Sequence, residues 1–480
     1  MTTTEKPART TGHEERQAVV DRLTGQDLSM LWPDDFGWPQ DIGVVAILDG
    51  TRLFDAHGQL QIGQVREAVA GRLHLVPRLR QIVHRPRRGL GRPVWVDVRS
   101  FDIADHVRVL PLPEPAGEQL LLRACERLHR RRLDQARPMW ELWLLPGLTD
   151  GRVGMFMKMH HVVADGVAGV ALIGTLLDLA PVASAPALRA WTPLPVPPVR
   201  DLLTDNLRRH ATALSASASR LAHPARTVRQ IRHTWSAVRE LLVSEERAPR
   251  TSLNRPIGPG RRIALGRGHL DSAKVVAHTT GAKVNDVVLA AIAGGIRDLL
   301  RSRGERVDGL VLRAAVPVSL HRGSPGQARG NLDSGMMVPV PVGEPDIVRR
   351  MRLIAADTAL RKTKAIRPAE IGVVGSAPVR RIMLRLMGRQ RFSNVYVANV
   401  PGPPVPLYLA GARVLELFPV VPLIGNITLG VGVLSYAGQL NFTAIGDWDS
   451  CPDLAVFMTG LQQALAELTP GEGTQPVEPA

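Results

Sequence analysis

The sequence predicts an α/β (α+β) protein of two lobes joined by a helical crossover. Strand-like and helix-like segments alternate on both sides of a central stretch, a pattern that argues against an all-helical bundle. The two mixed regions, 19–180 and 256–468, are similar in size. The stretch between them, 181–255, begins rich in proline and alanine and continues as a basic, helix-like segment. Two lobes with a connecting segment therefore account for most of the 480 residues.

Hydrophobic periodicity assigns the elements of the first lobe. Alternation of apolar and polar residues indicates strands, and apolar residues at helical spacing indicate helices. The predicted strands are 43–48, 94–98, 140–145 and 153–159, and the predicted helices are 64–76, 118–133 and 167–177. The last two strands are expected to be neighbours, because only the turn 147–151 separates them.

The remaining segments are assigned from composition. Residues 1–18 and 469–480 are polar, and we predict disordered tails there. The proline-rich run 193–198 indicates an extended connector, followed by an arginine-rich helical region over 201–245. In the second lobe, the pattern predicts a helix over 286–300.

The net charge of +16 comes almost entirely from arginine, since only six of the 60 basic residues are lysines. Arginine favours bidentate contacts with phosphate and carboxylate groups. This charge fits three kinds of partner: an anionic membrane, a phosphate-bearing cofactor and nucleic acid. A genomic preference for arginine codons explains the charge equally well. Nucleic acid is the least favoured partner, because aromatic residues are only 4% of the chain and no recognition motif is present.

Cysteine usage and hydropathy predict an intracellular, cytoplasmic protein. Cys125 and Cys451 are far apart and show no metal-binding or redox spacing. The N-terminus lacks an apolar signal region. No stretch contains eighteen uninterrupted apolar residues, so we expect no membrane-spanning helix.

The main candidate for chemistry is the run His160-His161-Val162-Val163-Ala164-Asp165-Gly166 between an apolar strand and an apolar helix. A histidine can accept a proton near neutral pH, so one of the pair is a candidate general base. We assign that role to His161, which leads directly into the turn, whereas His160 on the opposite side of the strand packs or orients. Asp165 is expected to hold the turn, and Gly166 to allow close packing or a positive φ. The alternative is a pair of hydrogen-bonded core histidines.

Other kinds of site have less support. No serine lies in a Gly-x-Ser-x-Gly elbow, so a covalent serine mechanism is not indicated. A zinc site needs three or four ligands, and two histidines on opposite faces of a strand do not chelate one ion. Gly89-Leu90-Gly91 and Gly294-Gly295 match no phosphate-binding loop. We therefore expect neither a metal nor a cofactor.

The histidine motif resembles the active-site motif of acyl-CoA-dependent acyltransferases related to chloramphenicol acetyltransferase and peptide-synthetase condensation domains. Further segments, in the same order, are similar to those of the bacterial wax ester synthase/diacylglycerol acyltransferase family. These segments are Arg137–Leu142, Thr251–Gly258, Val284–Leu289, Val316–Leu320, Gly330–Asn331 and Asn399–Pro404. The resemblance covers about 23–468, nearly the whole chain.

This resemblance implies two chloramphenicol-acetyltransferase-like lobes with the active-site channel between them. It also implies transfer of a long-chain fatty acyl group from acyl-CoA to diacylglycerol or a long-chain alcohol, with His161 deprotonating the acceptor hydroxyl. Acyl-CoA would be a co-substrate. Since the acceptor is a lipid, we expect peripheral contact with an anionic membrane or a lipid droplet.

The resemblance also points to candidate substrate-binding residues. Asn285 belongs to the family's Asn-Asp helix motif, and its alternative role is the N-cap of the helix 286–300. Trp140 belongs to the Pro-Leu-Trp-like segment, and its alternative location is the core beside the histidine strand. Asn254 lies in the segment that follows the linker. The groups that would stabilise a tetrahedral oxyanion are not identified.

The chain departs from the family pattern in its last third. Ala398 stands where the family often has serine, and Gly430 and Gly432 stand where polar residues are common. If these positions line the channel, the protein could be an acyltransferase for a specialised-metabolite alcohol or amine. A third interpretation, a lipid-surface binding protein without activity, is motivated by the basic stretch 208–250.

Overall fold

A computed structural model describes residues 20–164, 166–181, 191–222, 247–319, 333–362, 381 and 384–468. The predicted tails, the second half of the basic crossover and the segment Gly330–Asn331 lie outside the described residues, as does Asp165. The helices are α1 Gly25–Leu31, α2 Ile62–Ala70, α3 Glu118–Arg130, α4 Gly166–Leu176, α5 Val199–Ala222, α6 Leu270–Thr280, α7 Val284–Ser302, α8 Ile347–Lys362 and α9 Leu454–Leu468.

The strands form two six-stranded sheets and one small hairpin. Their bounds are β1 Asp41–Asp49, β2 Gln81–His84, β3 Val94–Asp97, β4 Val107–Val109, β5 Trp140–Pro146, β6 Arg152–His160, β7 Arg261–His269, β8 Leu312–Ser319, β9 Asp333–Val340, β10 Val395–Pro401, β11 Tyr408–Leu409, β12 Ala412–Val420, β13 Leu429–Tyr436 and β14 Gln439–Asp447.

The first sheet has the strand order β11-β12-β1-β6-β5-β4 and the second has the order β7-β14-β13-β10-β8-β9. In the first sheet only the β4–β5 pair is parallel, while in the second β10 runs parallel to both β8 and β13. The mixed α/β class predicted from the alternation of segments is confirmed. The four predicted strands of the first lobe correspond to β1, β3, β5 and β6.

Two helices end earlier than their periodicity predicts. The helix predicted over 64–76 is α2, which ends at Ala70 and is followed by a 3-10 turn at Leu73–Leu75. The helix predicted over 118–133 is α3, which ends at Arg130. In the first case Gly71 is the C-cap and Pro77 lies a few residues beyond, and both residue types disfavour continuation of a helix.

The sequence assigns all of residues 256–468 to the second lobe, but the sheets do not divide the chain in this way. β11 and β12 come from the second region but belong to the first sheet, where β12 pairs antiparallel with β1 over Gly43–Leu48. β12 also packs against β13 and β14 of the second sheet. The strand is therefore shared by both lobes, and it fixes the first sheet against the second.

Three apolar clusters follow from this arrangement. One face of the first sheet packs on α2 and α4, and its cluster includes Met155, Met157 and Met159 of β6. The opposite face packs on α3 and on strands of the second sheet, where Phe156 and Ile445 share one cluster. The second lobe has its own core around the buried helix α7. None of the helices in the described part of the chain is both long and apolar enough to cross a membrane.

Candidate active site

The two adjacent histidines lie where β6 ends and the turn toward α4 begins. His160 is the last residue of β6, and His161 is the first residue of the turn. The His161 side chain is buried, and its backbone N–H donates to the carbonyl of Gln40 at 2.7 Å. Gly166 is the first residue of α4, one residue before the predicted start of this helix. The main-chain position of the candidate base is therefore fixed by a neighbouring segment of the first lobe.

His160 is oriented by hydrogen bonds at both ring nitrogens. Its Nδ1 accepts the backbone N–H of Val162 at 3.1 Å, so the proton lies on Nε2. Nε2 donates to the carboxylate of Asp34, 3.1 Å from Oδ2 and 3.2 Å from Oδ1. The carbonyl of His160 accepts the N–H of Val163. The ring of His160 thus connects the turn that carries His161 to Asp34, and an orienting role for His160 stays a prediction.

Asp34 is a site residue that sequence reasoning missed. It lies in the 3-10 turn Trp32–Phe36, and its side chain also accepts a hydrogen bond from Nε2 of Gln135 at 3.1 Å. The backbone N–H of Gln40 points to the same carboxylate at 3.4 Å. No local pattern marks Asp34, because its partners come from three separate segments of the chain.

A buried ion pair lies beside this network. Lys158 of β6 and Asp41 of β1 are both about 1% exposed, and Nζ is 3.7 Å from Oδ2, beyond hydrogen-bond distance. Asp41 is the direct cross-strand partner of His160. Burial raises the pKa of Asp41, and the positive charge of Lys158 opposes that rise. Burial likewise lowers the pKa of Lys158, against the effect of Asp41.

The second lobe contains a pair of asparagines joined through their side chains. Nδ2 of Asn399 on β10 donates to Oδ1 of Asn285 on α7 at 3.3 Å. The helix α4, which follows the histidine turn, packs against β10. A side-chain hydrogen bond therefore joins two of the segments that carry the family resemblance, Val284–Leu289 and Asn399–Pro404. The second of these begins on β10, which contacts α4 of the first lobe.

The expectation that Asn285 is the N-cap of a helix over 286–300 is wrong. The helix α7 begins at Val284, its N-cap is Lys283, and Asn285 lies in its first turn. The carboxylate of Asp286 explains the earlier start, because it accepts the N–H of Lys283 at 2.9 Å in the manner of a capping box. The other oxygen of Asp286 accepts the hydroxyl of Thr358 at 2.8 Å. Asp286 therefore completes the capping box of α7, and the Asn285 side chain pairs with Asn399.

The structure places Trp140 in the core of the first lobe. Its side chain is fully buried, and the indole N–H donates to the carbonyl of Leu79 at 2.8 Å. The ring stacks on His106 with centroids 4.6 Å apart. Burial lowers the pKa of His106. Trp140, the first residue of β5, therefore packs in the core, which is the alternative location that the sequence offers for it.

Asn254 lies in the second lobe, where it forms an isolated β-bridge with Ile427. Its Nδ2 donates to the carbonyl of Ser393 at 3.0 Å, and its Oδ1 accepts a hydrogen bond from Asn394 at 2.6 Å. It lines a cavity of about 350 Å³ together with three arginines, Arg250, Arg389 and Arg391. The structure thus places Asn254 at a polar, basic cavity.

The departures from the family pattern at Gly430 and Gly432 have a packing explanation. A Cβ atom at Gly432 would lie 2.9 Å from the carbonyl oxygen of Pro419, and one at Gly430 would lie 2.9 Å from Leu423 Cδ2. Ala398, the partner of Gly432 in the β10–β13 ladder, is also buried. Small residues here let β12 and the segment after it approach the second sheet closely.

These residues form a site suited to proton transfer from a hydroxyl group. Imidazole is the side chain that exchanges protons most readily near neutral pH. His161 is held by its backbone, His160 is hydrogen-bonded to Asp34, and Ala164 of the turn packs into the apolar cluster on one face of the sheet. A buried, preorganised imidazole of this kind can act as a general base on a substrate that reaches it.

The chain matches two family models. The wax ester synthase/diacylglycerol acyltransferase catalytic domain matches residues 23–288, and the WS/DGAT C-terminal domain matches residues 329–469. Together the two matches cover most of the chain.

Similar proteins carry consistent descriptions. A putative diacylglycerol O-acyltransferase of Mycobacterium tuberculosis is 32% identical over 483 residues, covering 96% of this chain and 92% of the relative. A probable diacylglycerol O-acyltransferase of the same organism is 32% identical over 390 residues, covering 79% and 82%.

Solved structures share the fold. A wax ester synthase/diacylglycerol acyltransferase from Marinobacter aquaeolei VT8 is 23% identical with a TM-score of 0.68, covering 93% of this chain and 98% of that one. The first condensation domain of the calcium-dependent antibiotic synthetase, in complex with a substrate analogue, is 16% identical with a TM-score of 0.59 over 94% and 97% of the two chains. The predicted two-lobed architecture is therefore confirmed.

Proposed function

Because this chain belongs to the wax ester synthase/diacylglycerol acyltransferase family and is an acyltransferase, we propose that it transfers a long-chain fatty acyl group from acyl-CoA to diacylglycerol. A long-chain alcohol is the second acceptor in this proposal, and its product would be a wax ester. The names of the mycobacterial relatives support diacylglycerol as the acceptor.

In the proposed reaction His161 is the general base. Its imidazole takes the proton of the acceptor hydroxyl as the oxygen attacks the thioester carbonyl. The tetrahedral intermediate collapses when the carbon–sulfur bond breaks. The ester is released, and the CoA sulfur leaves with the proton returned by His161. The observation that carries this assignment is the anchored, buried position of His161 at the end of β6.

The other motif residues have positioning roles in this proposal. His160 holds the turn through Asp34 and Val162. Asp165 keeps the same turn in shape, and Gly166 gives it room to enter α4. Asn285, paired with Asn399, contacts substrate from the second lobe.

Trp140 supports the sheet from the core. Asn254 offers a polar contact at its own cavity.

The proposal needs no metal or resident cofactor, since acyl-CoA supplies the activated acyl group. It also includes peripheral attachment to an anionic membrane or a lipid droplet in the cytoplasm, because both lipid substrates concentrate there. The net charge of +16 supports an anionic surface.

The test is an acceptor panel with radiolabelled palmitoyl-CoA and purified protein. Diacylglycerol and hexadecanol are each supplied in detergent micelles, and labelled ester is separated from free acid. We expect ester with diacylglycerol, and loss of at least about 10²-fold in His161→Ala. The exposed histidine of α6, changed in His278→Ala, is the matched control, and circular dichroism verifies the fold of both variants.

Two outcomes would change the proposal. Full activity in His161→Ala would remove the base assignment. Turnover of palmitoyl-CoA with a small polar alcohol or amine, but with neither lipid acceptor, would instead favour an acyltransferase for a specialised metabolite.

A further inference from the structure

One side of helix α5 packs against the first lobe. Leu202 is 2% exposed and packs with Val94 and Val96 of the small hairpin. Asp205 forms an ion pair with the buried guanidinium of Arg22. Asn206 donates from Nδ2 to the carbonyl of Gly89 at 3.0 Å. The helix is thus attached to the protein body by its first two turns.

A different side of α5 exposes a row of large aliphatic residues. Val199, Leu203, Leu207 and Leu214 are 62%, 43%, 60% and 71% exposed. Their spacings of four, four and seven residues place them along one side of a helix. Single exposed leucines are common on protein surfaces, but several aligned on one side of a helix indicate an interaction surface. We name these four residues the α5 stripe.

A basic loop lies next to the α5 stripe. The β2–β3 loop exposes Arg85, Arg87, Arg88 and Arg92. Gly89, in the middle of that loop, is the residue that Asn206 of α5 contacts. The loop that carries these arginines therefore contacts α5 between Leu203 and Leu207, and we treat the loop and the α5 stripe as one face of the first lobe.

The acidic side chains of α5 are already paired. Asp205 binds Arg22 and Arg209, and Asp201 lies 3.4 Å from Arg200. The Arg200 side chain is 86% exposed, but its charge is balanced by Asp201, so the excess positive charge of this face comes from the loop arginines. The face as a whole combines exposed aliphatic groups with an excess of arginine.

We propose that this face docks the protein on a lipid surface that carries anionic phosphate headgroups. The α5 stripe enters the boundary between headgroups and acyl chains, and the loop arginines bind the phosphates. Charge complementarity selects this occupant, because guanidinium groups pair with phosphate and the aliphatic row suits the acyl boundary. This inference deepens the proposed peripheral attachment and rests on it, while it does not depend on which alcohol is esterified.

The experiment is co-sedimentation of the full-length protein with vesicles of phosphatidylcholine alone or with phosphatidylglycerol added. The stripe variant is Leu203→Asp/Leu207→Asp. Its matched control is Val275→Asp/Leu353→Asp, which places the same charges at exposed aliphatic positions on α6 and α8. We expect the stripe variant to lose vesicle affinity by about tenfold or more, and the control to bind like the wild type.

A second pair of variants tests the charges. Arg87→Gln/Arg88→Gln removes two loop arginines, and Arg301→Gln/Arg306→Gln removes two exposed arginines of the second lobe as a control. The loop variant should bind phosphatidylglycerol vesicles more weakly at low salt, with the difference shrinking as salt screens the charges. Binding of phosphatidylcholine vesicles should be weak for all proteins.

Other occupants give different results. Unchanged vesicle binding in the stripe variant overturns the proposal. If that result comes with a lower melting temperature than the control, another segment of the chain covers the stripe. If the wild type is dimeric by sedimentation and the stripe variant is monomeric, a second copy covers it, which also overturns the proposal.

Turnover of micellar substrates separates this inference from the acyl-transfer chemistry. The stripe variant should keep wild-type turnover in micelles and lose turnover of diacylglycerol embedded in phosphatidylglycerol vesicles. A wild-type protein that binds these vesicles but forms no ester would contradict the proposed reaction while supporting the docking face.

Discussion

The Asp34 carboxylate lies 3.1 Å from Nε2 of His160, although 126 residues separate the two in the chain. Nδ1 of the same ring accepts the N–H of Val162, one residue beyond His161. The imidazole of His160 thus connects a 3-10 turn near the N-terminus to the backbone that positions the proposed base. In the proposed mechanism the adjacent histidines have different tasks, since His160 shapes the turn and His161 is the general base.

Removing the carboxylate should therefore impair catalysis without removing a group that touches substrate. We expect Asp34→Ala to lower kcat on the order of 10²-fold, because a small displacement of a reacting group has effects of this size. Asp34→Asn should keep most of the activity, since its amide oxygen still accepts the Nε2 proton. The measurement is CoA thiol release at saturating acyl-CoA.

The exposed neighbour Asp35 provides the control, as Asp35→Ala. An equal loss in Asp34→Asn and Asp34→Ala would mean that the negative charge, and not the hydrogen bond, is what the site requires. Wild-type kcat in Asp34→Ala would show that His160 does not position His161.

The strands around the site could be predicted because their signal is local. The alternation in β5 and β6 and the apolar run of α4 appear within ten residues or so, and the structure has these elements close to the predicted bounds. The pairing of β12 with β1 could not be predicted, because strand pairing across most of the chain leaves no local pattern.

The same distinction applies to the site. His160, His161 and Gly166 form one short motif, so their roles could be proposed from sequence. Asp34 and Gln135 join the motif only when three segments meet, and neither stands in a recognisable pattern. Asn285 is not the cap, because the helix begins at Val284 with Lys283 as its N-cap and Asp286 completes the capping box, an arrangement that the apolar pattern alone does not reveal.

The hydrogen bond between Asn285 and Asn399 predicts coupled effects on activity. Each alanine substitution, Asn285→Ala and Asn399→Ala, should lower kcat/KM, and the double variant should be little worse than either single one. The expected coupling is about 0.5–1.5 kcal/mol, the range of one net hydrogen bond. Strictly additive losses in the double-mutant cycle would show that the two amides act separately.

Asp286 should contribute stability, because its two oxygens satisfy a helix N-terminus and the buried hydroxyl of Thr358. We expect Asp286→Ala to lower the free energy of unfolding by about 2 kcal/mol, from a lost cap and a lost side-chain hydrogen bond. Thr358→Val should cost less, because the Thr358 hydroxyl is also bonded to the carbonyl of Ala355 and only the bond to Asp286 supports the cap. Urea unfolding measures both effects. A variant that unfolds like the wild type but has lost turnover would instead place Asp286 at the substrate.

A buried histidine should make the protein sensitive to acid. His129 of α3 is 5% exposed, and burial, together with the positive charges of Lys158 and Arg261, holds its pKa well below the usual value. Below about pH 6.5 the unfolded chain binds a proton at this histidine that the folded protein does not bind. The free energy of unfolding therefore falls as the pH falls through this range.

Replacing the ring in His129→Leu should reduce the loss of stability between pH 7 and pH 5.5 by about 1 kcal/mol. Urea unfolding midpoints at the two pH values measure the change, with the exposed His57, as His57→Gln, for comparison. If both variants reduced the acid sensitivity equally, the burial of His129 could not be its cause.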